Sequence, residues 1–479
     1  MNKEARIKKI QEWTKVHEPM GKIEIPWDDE LEPMDVFKIP LEYLVYNKYN
    51  GRILSRTKSI ERQKIRIDAE SKEGREQIEK LLWDSKPKKN EETLASLEKY
   101  GQEKVGIITK DGIIIDGNRR AMLLSKIKKY DYFKAVILPI EFEGDPIAIE
   151  KFETKYQLGE ERKLDYNPTE IYLKIQRLYQ QLSGQNRFPT SADIRNGVSI
   201  DKEAIEKIYE WVGNYKTINS ENDIRYTLEV MNIMEEYLDY MEYNGIYTAL
   251  DDKEEQFRDL TSWLNSFYGE SSVKPFDGYT DNDVDDLKST AFDLIRIKLK
   301  NEKFRYLGRG QRPNHFFGNK AIWESFLQGH LSLIEGHAES PIDLNTSNIE
   351  RHLNGRDNDF NESIGDGLVD NVDIHYQRLR NRQAQDEPVK LLNKAIDSLD
   401  SINVNSKNFG KAEAQNLLSK LGDKVLRSLT EKSPSRLLGH IIKLLEEIDV
   451  DSIPEDEIQE VKAKTKKIQQ LGYKINKNA

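Results

Sequence analysis

The sequence predicts an α+β N-terminal domain followed by mostly α-helical domains, and three observations carry that expectation. Two short apolar runs, Val105–Thr109 and Ile113–Ile115, flank Lys110-Asp111-Gly112, the Asp-Gly signature of a β-hairpin. From about residue 145 onward the apolar positions recur at helical spacing, interrupted by polar loops. The chain has 479 residues, 37% hydrophobic and 33% charged, which is too long for one ordinary core and too polar for a membrane protein.

The elements follow in order. Residues 1–35 read as an N-terminal arm: a helical stretch (Ile7, Ile10, Trp13), then a connector rich in Pro, Asp and Glu. Residues 36–150 form the α/β domain. Phe37–Leu41 is its opening strand, Asn47–Arg52 a turn-rich loop, 72–83 a helix and 84–92 an exposed loop. Asp116-Gly117-Asn118 breaks the strand Ile113–Ile115, a helix runs from Arg119 to Lys129, and Val136–Ile140 is a further strand. Residues 151–215 are helical, with a helix-turn-helix pattern, and 216–352 form a helical domain. The Asn/Asp/Gly-rich stretch 353–374 reads as a flexible linker before a C-terminal helical domain, 375–479. Tyr237, Tyr240, Tyr243 and Tyr247 fall near helical spacing and read as core or partner-facing positions.

Composition removes several function classes. The chain has no cysteine, so disulfides, thiolate zinc sites and thiol nucleophiles are out. Its seven histidines are scattered and form no H-x-x-x-H pair. No run of about 18 apolar residues appears, and the charged start resembles no secretory signal, so the expected location is cytoplasmic, with no membrane partner. The net charge of -10 makes a poor nonspecific DNA coat, and nucleic-acid contact has to come from local patches.

The segment Ile115–Ala121 holds the clearest chemistry. A strand ends at a glycine and a helix begins within two or three residues. The first helical turn offers free N–H groups and partial positive charge, and Gly117 lets a ligand approach the backbone. Arg119 and Arg120 add forked donors suited to phosphate oxygens. They stand about 100° apart on the helix, so one faces a ligand and the other holds a neighbour such as Asp116. Read alone, the same residues fit a strand–helix junction with surface salt bridges equally well.

Asp116–Leu124 (DGNRRAMLL) resembles the Gly-Glu-Arg-Arg box of ParB-type partition proteins and the Asp-Gly-x-x-Arg box of the wider ParB/sulfiredoxin superfamily. Tyr100-Gly101-Gln102 resembles the family's Gly-x-x-Gln loop, and Ile39-Pro40 with Asn47 and Arg52 its opening strand and Asn-Pro-x-x-x-Arg loop. Tyr156–Lys174 resembles the third box, in which Asn167-Pro168 with Glu170 reads as a capped helix start. The resemblance spans about residues 36–180. It implies a ParB/sulfiredoxin-like nucleotide-binding domain in which Gly101, Gln102, Gly117, Asn118, Arg119, Arg120 and Arg162 bind a nucleoside triphosphate, CTP or ATP. It further implies that Glu160 holds a Mg2+ ion and that Asp116, Glu160 and Glu161 serve any turnover. Two departures bear on hydrolysis. Asn118 stands where the family has glutamate, and Gly159-Glu160 stands at its Glu-Asn pair.

Nucleic-acid contact is expected at Arg52 and Arg56, and at Arg305, Arg309 and Arg312 in Lys303–Lys320, where cations alternate with aromatics around glycines. That loop equally fits a basic loop anchored by core aromatics. The helix-turn-helix pattern at Thr190–Trp211 carries Glu203, Glu206 and Glu210 on its second helix and equally fits a plain helical hairpin. The leading expectation is a ParB-like, nucleotide-binding, DNA-associated protein of a mobile-element or phage-defence system, with a homodimer or a protein partner. The rivals are a ParB-type nuclease or nucleotide-dependent phosphotransferase, and a non-catalytic interaction regulator.

Overall fold

The computed structural model describes residues 1–478 apart from 29, 159–166, 191–192, 195, 214, 216–217, 269–274, 310–313, 344–345, 347 and 433, and apart from the side chains at 157–158, 384–388, 391 and 426–432. The chain divides into two compact units, Met1–Gln385 and Asp386–Ala479. The first unit opens with a mixed six-stranded sheet and continues almost entirely as helices.

Helix α1 (Lys3–Val16) leads into the antiparallel hairpin β1 (Gly21–Trp27) and β2 (Glu30–Pro40). β3 (Val45–Tyr46) precedes three helices, α2 (Leu54–Arg62), α3 (Lys72–Ser85) and α4 (Pro87–Tyr100). β4 (Gly106–Ile108), β5 (Ile113–Asp116), α5 (Asn118–Ser125), β6 (Tyr132–Ile137) and α6 (Pro146–Leu158) complete the sheet region. The strand order is β1-β2-β6-β4-β5-β3. β4 pairs antiparallel with β5 and parallel with β6, and β3 runs parallel to β5. Adjacent isoleucines point to opposite faces, as the pleat demands. Ile108 and Ile114 join the core under α3–α5, while Ile107 and Ile115 join the core under α6.

Three expectations are corrected here. Residues 1–35 are not a detached arm. Arg6 is 2% exposed, with its guanidinium on the Asp111 carbonyl and 2.8 Å from Glu70, and residues 21–27 pair across the hairpin. The stretch 84–92 is largely helical, because Pro87 suits the first turn of α4. Residues 353–374 are no flexible linker. Helix follows helix through Ile349–Phe360 and Asp366–Asp400, joined by a π-turn at Asn361–Gly365. Leu353, Phe360, Ile364, Leu368 and Val372 recur at helical spacing and are buried, and that burial overrides a loop-like composition.

The helical part of the first unit surrounds one large core, built on Glu221–Tyr240, Glu254–Phe267, Asp281–Arg296 and Lys320–Glu335. Tyr237 and Tyr243 are fully buried in it, whereas Tyr240 is 45% exposed. α7 (Pro168–Ser183) packs on Lys202–Val212 in a smaller core. Among the described residues no helix is long and apolar enough to cross a membrane.

Candidate anion-binding site

The strand–helix junction folds as a sharp turn. Gly117 is the N-cap of α5 with φ 101 and ψ 15, a left-handed conformation that an L side chain enters only with strain. A Cβ there would also stand 2.7 Å from the Phe133 ring on β6. The turn therefore needs glycine twice over, for its dihedral and for its clearance. It aims the first N–H groups of α5 into a cleft of about 90 Å³. That room admits a phosphate-sized group.

Among the described residues, three arginines and one carboxylate line this cleft: Arg52, Arg119, Arg120 and Asp116. Arg120 is held from within. It lies 3.6 Å from Asp116 one turn back, and it donates to the Lys104 carbonyl. Arg119 is placed differently. Among the described residues its side chain meets no carboxylate, and its hydrogen bond goes to the Thr93 hydroxyl of α4 at 3.4 Å. Burial, together with the neighbouring Arg52 and Arg120 guanidiniums, pushes its pKa down to about 10. A cation crowded by two others in a half-buried cleft is stabilised by any anion that enters.

The two asparagines near the turn are braces. Asn118 is 2% exposed; its oxygen accepts from the Asn47 N–H at 2.9 Å, and its amide donates to the Ile114 carbonyl at 2.9 Å. Asn50, a cleft residue that the motif reading did not single out, accepts from the Arg52 N–H at 3.3 Å. Together they fix the loop that carries Arg52 to the end of β5. Thr93 was also missed, because α4 was not expected to reach this turn.

Other expected site residues sit elsewhere. Both amide donors of Gln102 are spent on the Lys104 and Lys134 carbonyls at 3.0 and 2.8 Å, and its oxygen accepts from the Lys134 N–H at 2.7 Å. It splices the α4–β4 loop to β6, and Gly101 is the residue that ends α4. Asn118 and Gln102 thus brace the turn and the loop beside it. Glu160, Glu161, Arg162 and Arg312 lie outside the described residues. Arg56 pairs with Asp251 at 3.4 Å. Arg305 is gripped by Asp259 at 2.6 Å and by Glu255. Arg309 is exposed. Phe304, Phe316 and Phe317 are fully buried, and Tyr306 stacks on Tyr376 at 3.9 Å, so the Lys303–Lys320 aromatics serve the core and do not form a base-stacking platform. The outer face of Lys202–Val212 carries Glu203, Glu206 and Glu210, with Lys207 paired to Glu203 at 2.6 Å, an unfavourable face to turn toward phosphates.

The third box contains a contact no local pattern announces. Asn167 caps α7 as expected, accepting from the Thr169 N–H at 3.3 Å. Glu170, however, does not fold back on its own helix. Its carboxylate reaches the N-terminus of α2, where it accepts from the Ser55 N–H at 2.9 Å and from the Ser55 hydroxyl. Ile53, the N-cap of α2, supplies no side-chain cap, so Glu170 does that work from 115 residues away. Burial raises its pKa to about 7. Among the described residues no group of three or more His, Asp or Glu side chains is placed to hold a metal.

No family model matches this chain, and no curated protein does. Among solved structures it is similar to a chain described as the structure of a Pnob8-like ParB-N domain, with 13% identity and a TM-score of 0.32 over 56% of this chain and 94% of that one. At that score the likeness adds no weight to the geometry above.

Proposed function

We propose that this chain is a ParB-like, nucleotide-binding protein that works in association with DNA, and that its Gly117–Arg120 cleft takes phosphates of a nucleoside triphosphate. The observation that carries this reading is Arg119, a half-buried guanidinium beside two others with no carboxylate among the described residues. The helix N-terminus and the clearance at Gly117 supply the rest of a phosphate seat. The order of the sequence boxes points to CTP or ATP, with Mg2+ bridging the phosphates at Glu160 and with Arg162 beside them. The association with DNA, and a role in a mobile-element or phage-defence system, come with that resemblance alone. Binding is favoured over nuclease or phosphotransferase chemistry because Asp116, the one carboxylate in the cleft among the described residues, is engaged by Arg120.

The test is calorimetry of the full chain with CTP and ATP, with and without magnesium. Arg119→Ala is expected to weaken binding about 10- to 100-fold, the effect of losing one charge-assisted hydrogen bond of ~1.5–3 kcal/mol, with unchanged thermal unfolding. A wild-type chain that binds neither nucleotide, or a variant that binds as tightly as wild type, overturns the reading.

A further inference from the structure

The helical part of the first unit holds a polar cleft of about 320 Å³, a volume within the roughly 300–1,000 Å³ of small-molecule sites. Arg56 of α2, residues 248–253, the end of helix Asp281–Arg296 and helix Ile349–Phe360 contribute its walls. Among the described residues four bases and four acids line it. Two pairs are closed within the fold, Arg56 with Asp251 at 3.4 Å and Arg296 with Asp357 at 2.8 Å. Lys253 and Lys298 are left over on one side, Asp252 and Glu350 on the other. Among the described residues none of these four makes an ion pair.

Lys253 is the group that calls for a ligand. It is 5% exposed, and an ammonium has three protons to donate. One hydrogen bond goes to the Ala249 carbonyl at 2.5 Å, and the charge lies 5.8 Å from the centre of the Tyr237 ring. Asp357 and Asp251 act on it from beyond ion-pair reach and are held by Arg296 and Arg56. Burial pushes its pKa down, as expected of a cation short of counter-charge. Such a cation is costly to bury, and an entering anion would relieve it.

The rim is built at a cost to the backbone. Asp252 and Lys298 take left-handed φ values of 63 and 54. Lys298 stands just past the end of helix Asp281–Arg296, where glycine is the usual choice. Strained residues of this kind gather at binding sites. Asn354 and Asn358, one helical turn apart, add side-chain amides with no partner among the described residues. A simple anion would meet Asp252 and Glu350, and a simple cation would meet Lys253 and Lys298. A molecule carrying both charges satisfies both sets.

We propose that this cleft binds a small zwitterion of the amino-acid class, with its carboxylate on Lys253 and its ammonium toward Asp252 and Glu350. This inference does not depend on nucleotide binding.

The experiment is thermal unfolding of the full chain with each of the common amino acids in turn, followed by calorimetry with those that raise the midpoint. At least one is expected to do so. Its carboxamide, which lacks the anionic end, is expected to bind wild type at least about tenfold more weakly. Lys253→Met is expected to weaken the amino acid by a similar factor and to bind acid and amide alike, with helix content unchanged by circular dichroism. Asp252→Asn, at an exposed position, is expected to weaken it about two- to fivefold. The proposal is overturned if no amino acid raises the midpoint, if the amide binds wild type as tightly as the acid, or if Lys253→Met binds as wild type does. Should Lys253→Met fail to fold, the amide on wild type and Asp252→Asn decide the matter, and unchanged affinity in both overturns it.

Discussion

At the turn between β5 and α5, Arg119 sits beside two other guanidiniums, and the one carboxylate there among the described residues, Asp116, is held by Arg120. Around Lys303–Arg305 the cations have carboxylates of their own, Asp373 at 2.6 Å for Lys303, and Asp259 with Glu255 for Arg305. Both stretches are basic and both contain glycine, and as sequence they invite the same reading. What separates them is the neighbouring helix. Glu254–Phe267 turns two acids toward Arg305, whereas α4 offers Arg119 a hydroxyl. A cation already matched inside the fold has little left for a partner, because an incoming anion must first displace its carboxylate. Density of basic residues is thus a weaker signal than the absence of a local counter-charge.

Three substitutions sharpen or break that contrast. The largest effect is expected at Gly117→Ala. About 1–2 kcal/mol comes from the left-handed backbone and a further ~1–2 from crowding the Phe133 ring. Denaturant unfolding should therefore show a loss of about 2–4 kcal/mol, and a wild-type midpoint would mean that the turn is not as tight as described. Next is Glu170, whose folded-state pKa is raised to about 7 from an ordinary 4.5. Between those values the folded chain holds a proton that the unfolded chain releases, so this group makes stability fall as pH rises through the window. Glu170→Gln should remove that component from a midpoint-against-pH curve, and an unchanged slope would dismiss the carboxyl as its source. The smallest effect belongs to Arg305→Ala, which should cost about 0.5–1 kcal/mol, as for a partly exposed ion pair. It should leave nucleotide affinity alone, and if it lowered that affinity as Arg119→Ala does, the two regions would not differ as argued.

The hairpin around Asp111-Gly112 and the glycine turn into α5 were legible because their signals are local: β-branched runs, an Asp-Gly pair and a break before an arginine pair. So was the pairing of one arginine of that pair with Asp116, which Arg120 makes. Hairpin β1–β2 was hidden by Pro26 and Pro33, which interrupt the look of a strand although both sit in the ladder opposite Leu31 and Glu24. Residues 353–374 looked like a linker because Asn, Asp and Gly outnumber the five apolar side chains that decide the matter. The roles of Gln102, Asn118 and Glu170 depend on partners 32, 71 and 115 residues away, and no window of sequence contains both ends of such contacts.

Helix α2 has a consequence for dissecting this chain. By sequence it belongs with the sheet, following the loop that carries Arg52. By contact it belongs equally to the helices: Leu54 is buried in their core, Ser55 is met by Glu170, Arg56 by Asp251, and Arg62 donates to the Asn244 carbonyl at 2.9 Å. A fragment ending near residue 150 would strip that side of α2 to solvent and loosen the Arg52 loop along with it. Excising the sheet region by its apparent boundaries would therefore disassemble the cleft it was cut out to study.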